Sequence, residues 1–345
     1  MNRMLWLLLV LGMLLTGCRK ELCYDHDKHT LRVEYKLNLS YDLEWEYNRE
    51  NHVNWEQNWN NEAMGTSYDA LRPTPPEGVR IHIYNENDQT EDMRNLPPTG
   101  ANIHFKNEGH YSVLFHNNDT EYIVYQGMNS FATAYATTRG VSRATYFGNS
   151  LMGEKQKDEV TVNPPDMLFG AYLNSLYVEK STQADSMDVT LHPLVFTYLV
   201  RYEVEEGLQH IALARGALAG MARGVNLGNG RTSQEEATVL YDATVTDFGV
   251  QALVKSFGVP DYPNPDYSRN PRAYGLNLEV MISDGTLQQF EFDITEQVEK
   301  QPHGGVIVVK GIKIEAPKKP VEGGGGGFGV GVNGWGDAID IPLPL

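Results

Sequence analysis

Apolar and polar residues alternate in the segment that runs from Leu31 to Tyr41. Every second residue there is apolar or aromatic, and the residues between them are polar or charged. Because successive side chains of a β-strand point to opposite faces of the sheet, this period of two predicts a strand with one buried face. The predicted buried face carries Leu31, Val33, Tyr35, Leu37, Leu39 and Tyr41.

The same period recurs in two further series, which a polar and charged stretch at residues 179–188 separates. Gly, Pro, Asn and Asp fill the gaps between the apolar runs, as is typical of antiparallel hairpins. The pattern therefore predicts an all-β protein of two consecutive antiparallel β-sandwiches that join near residue 185. The predicted strands lie at residues 79–83, 111–115, 122–125, 196–204, 274–280, 290–294 and 306–314.

Two local departures from regular strands are expected. Lys310-Gly311 is predicted to form a bulge in the last strand, because glycine accommodates the unusual backbone of many bulges. The segment from Ala214 to Arg223 is the one candidate for a short helix, although its glycines weaken helical propensity.

The first seventeen residues predict export. Arg3 is their only charge, and an apolar run of twelve residues follows from Met4 to Leu15. This run is shorter than the roughly 20 residues of a membrane-spanning helix, but it suits the apolar region of a secretory signal. It ends in Leu15-Thr16-Gly17-Cys18, which resembles the bacterial lipobox, so the Cys18 thiol is expected to carry a lipid. The alternatives are an ordinary signal peptide with an incidental cysteine and an N-terminal anchor helix.

The composition excludes several classes of function. The chain has 45 Asp and Glu against 28 Lys and Arg, a formal net charge of −17, which disfavours nucleic-acid phosphates and anionic lipid headgroups as partners. Membrane attachment would therefore come from acyl chains on Cys18, and acylation would leave Cys23 without a disulfide partner. Neither Gly-x-Ser-x-Gly nor His-Glu-x-x-His is present. We predict no catalytic residue, no metal site, no cofactor and no enzymatic activity.

Three of the five tryptophans, Trp45, Trp55 and Trp59, lie within fifteen residues among Asn, Gln and Glu. Aromatic rings beside amides are suited to stacking on a sugar, so a glycan is a candidate partner and a surface glycan-binding protein is the alternative function. The four-residue spacing of Trp55 and Trp59 instead favours a short helix that packs against the sheet, which is the simpler interpretation.

The end of the chain has the pattern of a strand on a flexible link. Five consecutive glycines at Gly323–Gly327 precede the alternating residues Phe328, Val330 and Val332, with Trp335 shortly after. A free strand of this kind can pair with the sheet edge of another protein, where alternate side chains set the register. The alternative is that the tail folds back as the last strand of its own domain.

Several segments resemble one family. The residues Cys18-Arg19-Lys20-Glu21-Leu22-Cys23-Tyr24-Asp25-His26, the segments 78–85, 217–222 and 293–298, and the glycine-rich end are similar to fimbrillin-associated, FimB-like anchor and accessory lipoproteins of Bacteroidales type V pili. The resemblance implies transthyretin-like sandwiches, pilin (fimbrillin) partners, and a role at the cell surface in anchoring a fimbria or joining its assembly. It does not identify the subunit.

The resemblance also implies two kinds of modification. In that family an arginine-specific protease trims the subunit that accepts a donated strand, and Arg139 and Arg143 are candidate sites here. Asp185-Ser186-Met187 is similar to the O-glycosylation sequence of this bacterial phylum, which makes Ser186 a candidate for a sugar.

These features predict a non-enzymatic lipoprotein of the outer membrane, exposed at the cell surface, that contacts pilins by β-strand addition. The expected organisation is a signal peptide (1–17), a lipidated tether (18–30), an N-terminal sandwich (31–185), a C-terminal sandwich (186–322) and a tail with a candidate donor strand (323–345).

Overall fold

The computed structural model describes residues 33–45, 55–142, 159–263 and 272–317 of the 345-residue chain. Strands dominate these residues, so the prediction of an all-β protein is confirmed. The strands are β1 (Glu34–Tyr41), β2 (Val79–Asn85), β3 (Thr90–Leu96), β4 (Asn102–His104), β5 (Gly109–Asn117), β6 (Ile123–Gln126), β7 (Tyr135–Thr138), β8 (Thr161–Val162), β9 (Phe169–Val178), β10 (Asp185–Pro193), β11 (Phe196–Glu206), β12 (Ile211–Ala222), β13 (Gly224–Asn226), β14 (Glu236–Thr246), β15 (Gly249–Ser256), β16 (Gly275–Ile282), β17 (Leu287–Asp293) and β18 (Gly305–Lys313). The helices are α1 (Trp55–Asn58), α2 (Asn61–Met64) and α3 (Thr295–Glu299), with 3-10 turns at Tyr68–Leu71 and Leu208–His210.

The first sandwich packs a four-stranded sheet, in the order β3-β2-β5-β9, against a three-stranded sheet, in the order β10-β1-β4. The two sheets join at one corner, where β9 pairs with β10 at only two positions. Alternate residues of facing strands point inward and fill the space between the sheets. This core includes Leu37, Ile81, Val113, Phe115 and Leu191.

The second sandwich repeats this plan. One sheet has the order β17-β16-β12-β14, with the short β8 beside β14, and the other has the order β15-β11-β18. The sheets join where β14 and β15 pair next to their connecting turn. Tyr198, Tyr202, Leu218, Leu278 and Ile307 belong to the core between them.

The first and last strands of each sandwich are parallel neighbours. β1 pairs with β10 in parallel, and β11 pairs with β18 in parallel. The prediction of purely antiparallel sandwiches is therefore wrong for these pairs. A parallel pair needs a long crossover between its strands, and here the other strands of each sandwich provide it.

The alternation of the sequence locates the strands well. Leu37 of β1 is buried, and Val33, Tyr35, Leu39 and Tyr41 pack around the same core, so the predicted inner face is confirmed for the described part of the segment. The bulge is also confirmed, because the pairing of β18 with β11 shifts register opposite Lys310-Gly311.

The candidate helix at Ala214–Arg223 is wrong, since these residues lie mainly in β12. A Cβ atom at Gly216 would lie 2.4 Å from the ring of Tyr241, so glycine allows that ring to cover the strand. Gly220 has a φ of +85°, and the pairing of β12 with β14 shifts register around it. The glycines that weaken a helix therefore form a strand with a bulge.

A small third sheet, in the order β13-β7-β6, joins the sandwiches. Tyr84 and Leu114, on the outer face of the first sandwich, share an apolar cluster with Val225 and Phe257 of the second. The strands assign residues 185–193 to the first sandwich and place the change of sheet at residues 194–195, after the predicted boundary. The division of the chain into the predicted domains stays a prediction.

Candidate functional site at the chain ends and strand edges

The predicted lipidation site and donor strand lie at the two ends of the chain, beyond the residues that the structure describes. Their assignments stay predictions, as do those of two other residues outside these ranges. The residues concerned are Cys18, Cys23, Arg143, Phe328, Val330, Val332 and Trp335.

The structure does show where the two ends join the fold. At the N-terminal side the first described strand is β1, which lies between β10 and β4 and is held by hydrogen bonds on both sides. The C-terminal tail follows β18, where the Ile314 N–H donates to the Glu206 carbonyl at 2.9 Å. Glu315 then makes two backbone hydrogen bonds, of 3.0 and 3.1 Å, with the side chain of Gln288 in β17. Both points of entry are therefore fixed to the sandwiches.

Two glutamine side chains cover the outer edge of β18. Gln297 of α3 donates to the Val308 carbonyl at 3.0 Å and accepts from the Val308 N–H at 2.9 Å. Gln301 makes the same pair of contacts with Val306, at 3.2 and 2.6 Å. A carboxamide offers one carbonyl and one N–H group side by side, as a neighbouring strand does. A strand that added to this edge would have to displace both glutamines.

This glutamine cover of the β18 edge was not predicted from the sequence. Gln297 and Gln301 are four residues apart, which is the spacing that puts two side chains on one face of a helical turn. The signal in the sequence is a pair of polar residues with this spacing immediately before a strand at an exposed edge. This signal could have predicted the glutamine cover.

The edge of β9 beyond Gly170 has no strand neighbour among the described residues. β9 pairs with β5 on one side but separates from β10 after the corner. Ser175 has a φ of 60°, and the pairing with β5 shifts register close to it, so the strand is bent there. Bends of this kind disfavour long pairing with another chain.

Residues 45 and 55–71, which we name the aromatic clasp, pack on the second sandwich. Trp45 is only 2% exposed, and its indole N–H donates to the Thr197 carbonyl at 3.1 Å. The rings of Trp45 and Trp59 meet edge to face at 5.9 Å, and the cluster contacts Leu199 of β11. The clasp follows β1 of the first sandwich and covers a sheet of the second. The burial of Trp45 and the contacts of this cluster favour the packing interpretation. Trp45 has almost no exposed surface for a sugar. Glycan contact by Trp55 and Trp59 stays a prediction.

Polar contacts fix the clasp in place. The Arg201 guanidinium donates to the Ala63 carbonyl at 2.5 Å and lies 4.0 Å from the ring centroid of Phe248. Gln251 of β15 donates to the Gly65 carbonyl at 3.2 Å. These bonds satisfy the carbonyls of a short loop that covers an otherwise exposed sheet face.

Two histidines are buried on the outer face of the first sandwich. The Nε2 atoms of His82 and His116 are 3.0 Å apart, and Nδ1 of His116 lies 2.8 Å from the Asn117 carbonyl. Since a carbonyl only accepts, Nδ1 of His116 carries a proton, and its Nε2 accepts from His82 in the neutral pair. Burial lowers the pKa of His82 to about 4 and that of His116 to about 3.

The two modification candidates that the structure describes are both exposed. Ser186 lies in β10, and its hydroxyl accepts from Asn38 of β1 at 3.1 Å. The Arg139 N–H donates to the Tyr122 carbonyl at 3.0 Å, and its own carbonyl accepts from Asn163 at 3.0 Å. The peptide groups around Arg139 are therefore paired, which disfavours proteolysis there. Glycosylation and cleavage stay predictions.

A shallow cavity of about 550 Å³ lies between the first sandwich and the third sheet, where Tyr111, Ser175, Phe131 and Asn226 are among its lining residues. Its amides mainly stabilise turns: the Asn85 side chain accepts from the backbone of Asn87 and Gln89, and that of Asn226 accepts from Gly228. Across the described ranges, no group of three His, Cys, Asp or Glu residues is arranged to hold a metal ion. None of the helices in those ranges has the length and apolar character needed to cross a membrane.

Three of the similarities to known proteins describe the range of relatives. The chain is 27% identical over 302 residues to the "Putative fimbrium anchoring subunit Fim4B" of Bacteroides ovatus, covering 81% of this chain and 88% of that protein. The crystal structure of a "putative adhesin" from Bacteroides ovatus matches with a TM-score of 0.55 and 22% identity, covering 87% and 99% of the two chains. The fimbrial anchor protein Mfa2 of Porphyromonas gingivalis has a TM-score of 0.44 and 9% identity, over 80% and 90%.

The predicted resemblance to fimbrial anchor and accessory proteins is confirmed by the first of these relationships. A family model described as a domain of unknown function, DUF5119, matches residues 67–242. This range begins in the aromatic clasp, ends in β14 and so includes parts of both sandwiches. Because this match spans half of the chain, the chain belongs to the DUF5119 family.

Proposed function

We propose that this chain is a non-enzymatic fimbrial subunit, an anchor or assembly partner of pilins, tied to the outer membrane by a lipid on Cys18. The observation that carries the proposal is the relationship, over 81% of the chain, to a protein named as a fimbrium anchoring subunit. The lipobox-like sequence Leu15-Thr16-Gly17-Cys18 supports the lipid, and the net charge of −17 explains why an attachment other than surface charge is needed.

The proposed contact with a pilin is β-strand addition by the tail. Phe328, Val330 and Val332 would enter the groove of a pilin sheet, with Trp335 following, and Gly323–Gly327 would serve as the flexible link. The glutamine cover of β18 supports donation over folding back. A tail that turned back beside β18 would have to displace Gln297 and Gln301 from its edge.

Deletion of residues 323–345 tests the tail. We expect the shortened chain to lose co-purification with pilin while its circular dichroism and unfolding midpoint stay unchanged. Deletion of residues 336–345 alone is the matched control, because it keeps the alternating strand. Pilin capture by the chain that lacks residues 323–345 would remove the tail from the mechanism.

Replacement of Cys18 tests the anchor. We expect Cys18→Ala to abolish labelling by an alkynyl fatty acid and to release the protein from the membrane fraction, whereas Cys23→Ala should retain both. An unlabelled Cys18 in the wild-type protein would refute lipid anchoring.

A further inference from the structure

We infer that the fold transmits tension between its two ends through two pairs of parallel strands that are loaded in shear, one after the other. The inference rests on the proposed function, because a chain held by a membrane at one end and by a fimbria at the other is pulled from its ends. The two pairs are β1 with β10 and β11 with β18.

The first pair lies between the tether and the second sandwich. Tension from the membrane reaches the start of β1, and tension from the second sandwich reaches the end of β10, since only residues 194–195 separate β10 from β11. Because the strands are parallel, these forces act in opposite directions along neighbouring strands. The seven register pairs from Tyr35–Asp185 to Tyr41–Leu191 share the load. A hairpin pulled from its open end would instead lose its bonds one at a time.

Side chains tie the same two strands together on their exposed face. Asn38 donates to Ser186 at 3.1 Å and to Asp188 at 2.8 Å, and the hydroxyls of Ser40 and Thr190 are 2.9 Å apart. These bonds cross from β1 to β10 and resist sliding in addition to the backbone ladder. Trp45, buried against the second sandwich shortly after β1, holds the other end of that strand.

The second pair lies between the first sandwich and the tail. Tension arrives at the start of β11 and leaves from the end of β18, and these strands are parallel from Tyr198–Gly305 to Glu206–Lys313. The Lys313 ammonium also pairs with the Glu206 carboxylate at the far end. The Gln297 and Gln301 side chains hold the outer edge of β18, so this strand is fixed on both sides. In each sandwich the load therefore passes through one pair of parallel strands that is loaded in shear.

The pulling geometry of one protein tests the inference. The mature chain with Cys18→Ser and Cys23→Ser is held by fused handles at both termini and stretched in a single-molecule force instrument. A second version carries Ser283→Cys and is held at its N-terminus and at residue 283, which follows β16 in an exposed turn. This attachment removes β18 from the path of the load but leaves the path through β1 and β10 unchanged.

We expect the second sandwich to unfold at no more than about half the force when the load bypasses β18, because the β11–β18 bonds no longer have to break together. Its unfolding is recognised by a gain in length of roughly 400 Å for residues 196–313 when the chain is held at both termini, and of roughly 300 Å for residues 196–283 when it is held at residue 283. Unfolding of the first sandwich, residues 34–193, adds roughly 550 Å in both geometries. Equal forces for the second sandwich in the two geometries would overturn the inference.

Side-chain variants test the first pair separately. The double variant Asn38→Ala and Ser40→Ala should lower the unfolding force of the first sandwich without changing that of the second. The matched control is Asn102→Ala, which removes a 3.0 Å hydrogen bond to Glu34 between β4 and β1 and leaves the loaded pair intact. No fimbria takes part in these measurements, so a negative result leaves the proposed anchoring role standing. Conversely, a failure of pilin binding leaves the measured forces valid.

Discussion

Acid should destabilise this protein through the buried pair His82 and His116. Both side chains are at most 4% exposed, and their pKa values of about 4 and about 3 mean that they stay neutral when the protein is folded at pH 5. In the unfolded chain a histidine titrates near pH 6.5, so it gains a proton there first. The pair therefore stabilises the folded state fully above about pH 6.5, and this contribution is lost as the pH falls towards about 4.

The size of this loss in the free energy of unfolding follows from the difference between the pH and the pKa of a histidine in the unfolded chain. At pH 5 each histidine contributes about 1.4 kcal/mol per pH unit over roughly 1.5 units, or about 2 kcal/mol. Two buried histidines give about 4 kcal/mol, and about 2 kcal/mol if one shared proton satisfies the pair. Such a loss is a large part of the 5–15 kcal/mol by which domains are typically stable.

Urea unfolding at pH 7.5 and pH 5 measures this loss. The double variant His82→Gln and His116→Gln cannot take up these protons, so the drop in the free energy of unfolding between the two pH values should shrink by about 2–4 kcal/mol. His104→Gln, at an exposed position, is the control and should keep the wild-type drop. If the double variant loses as much stability as the wild type, the acid sensitivity arises elsewhere and the reasoning is refuted.

Three further variants test buried contacts and the cover of the β18 edge. Trp45→Ala removes the buried centre of the aromatic clasp, and we expect a loss of about 3–5 kcal/mol in the free energy of unfolding, measured with urea. The double variant Gln297→Ala and Gln301→Ala uncovers the edge of β18, which should lower the midpoint of thermal unfolding and raise self-association in light scattering. Arg215→Ala removes the 3.0 Å partner of Glu279, whose side chain is 1% exposed, and should cost about 3 kcal/mol in urea unfolding.

Matched controls separate these effects from general damage. Tyr172→Ala removes a ring that is 45% exposed, Gln183→Ala truncates an exposed glutamine, and Arg223→Ala breaks an ion pair whose carboxylate is 68% exposed. Each control should change the free energy of unfolding by less than about 1 kcal/mol. A control that equals its partner variant would contradict the role assigned to the buried contact.

The alternation of the sequence predicts strands and their inner faces but not their partners. Leu37 is recognisable as an inward residue from its neighbours alone, whereas the pairing of Leu37 with Met187 joins residues 150 positions apart. Nothing in the local pattern distinguishes parallel from antiparallel neighbours. The parallel pairing of the first and last strands of each sandwich was therefore not predicted. The glycines of β12 were misleading for a related reason, because their role depends on Tyr241 of another strand.

The buried polar groups were the hardest to foresee. His82 and His116 occupy the face of their strands that a simple alternation assigns to solvent, and they are buried there with Tyr84 and Tyr125 beside them. Gln297 and Gln301 look like surface residues of a short helix until the edge of β18 is placed beside them. The four-residue spacing of Trp55 and Trp59 predicted the packing of their segment against a sheet, because it places both rings on one face of a helical turn. The contact of Trp59 with Trp45 was not predicted.

The long separation between paired strands has a consequence for biogenesis. β1 has no parallel neighbour until β10 has been synthesised. Likewise, β7 of the third sheet cannot form its antiparallel pair with β13 until β13 has been synthesised. A chain delivered from its N-terminus therefore cannot complete its first sandwich early, and contacts of such high sequence separation form slowly. The same strand order that places parallel strands between the two ends of the fold thus delays compaction of the nascent polypeptide until β10 has been made.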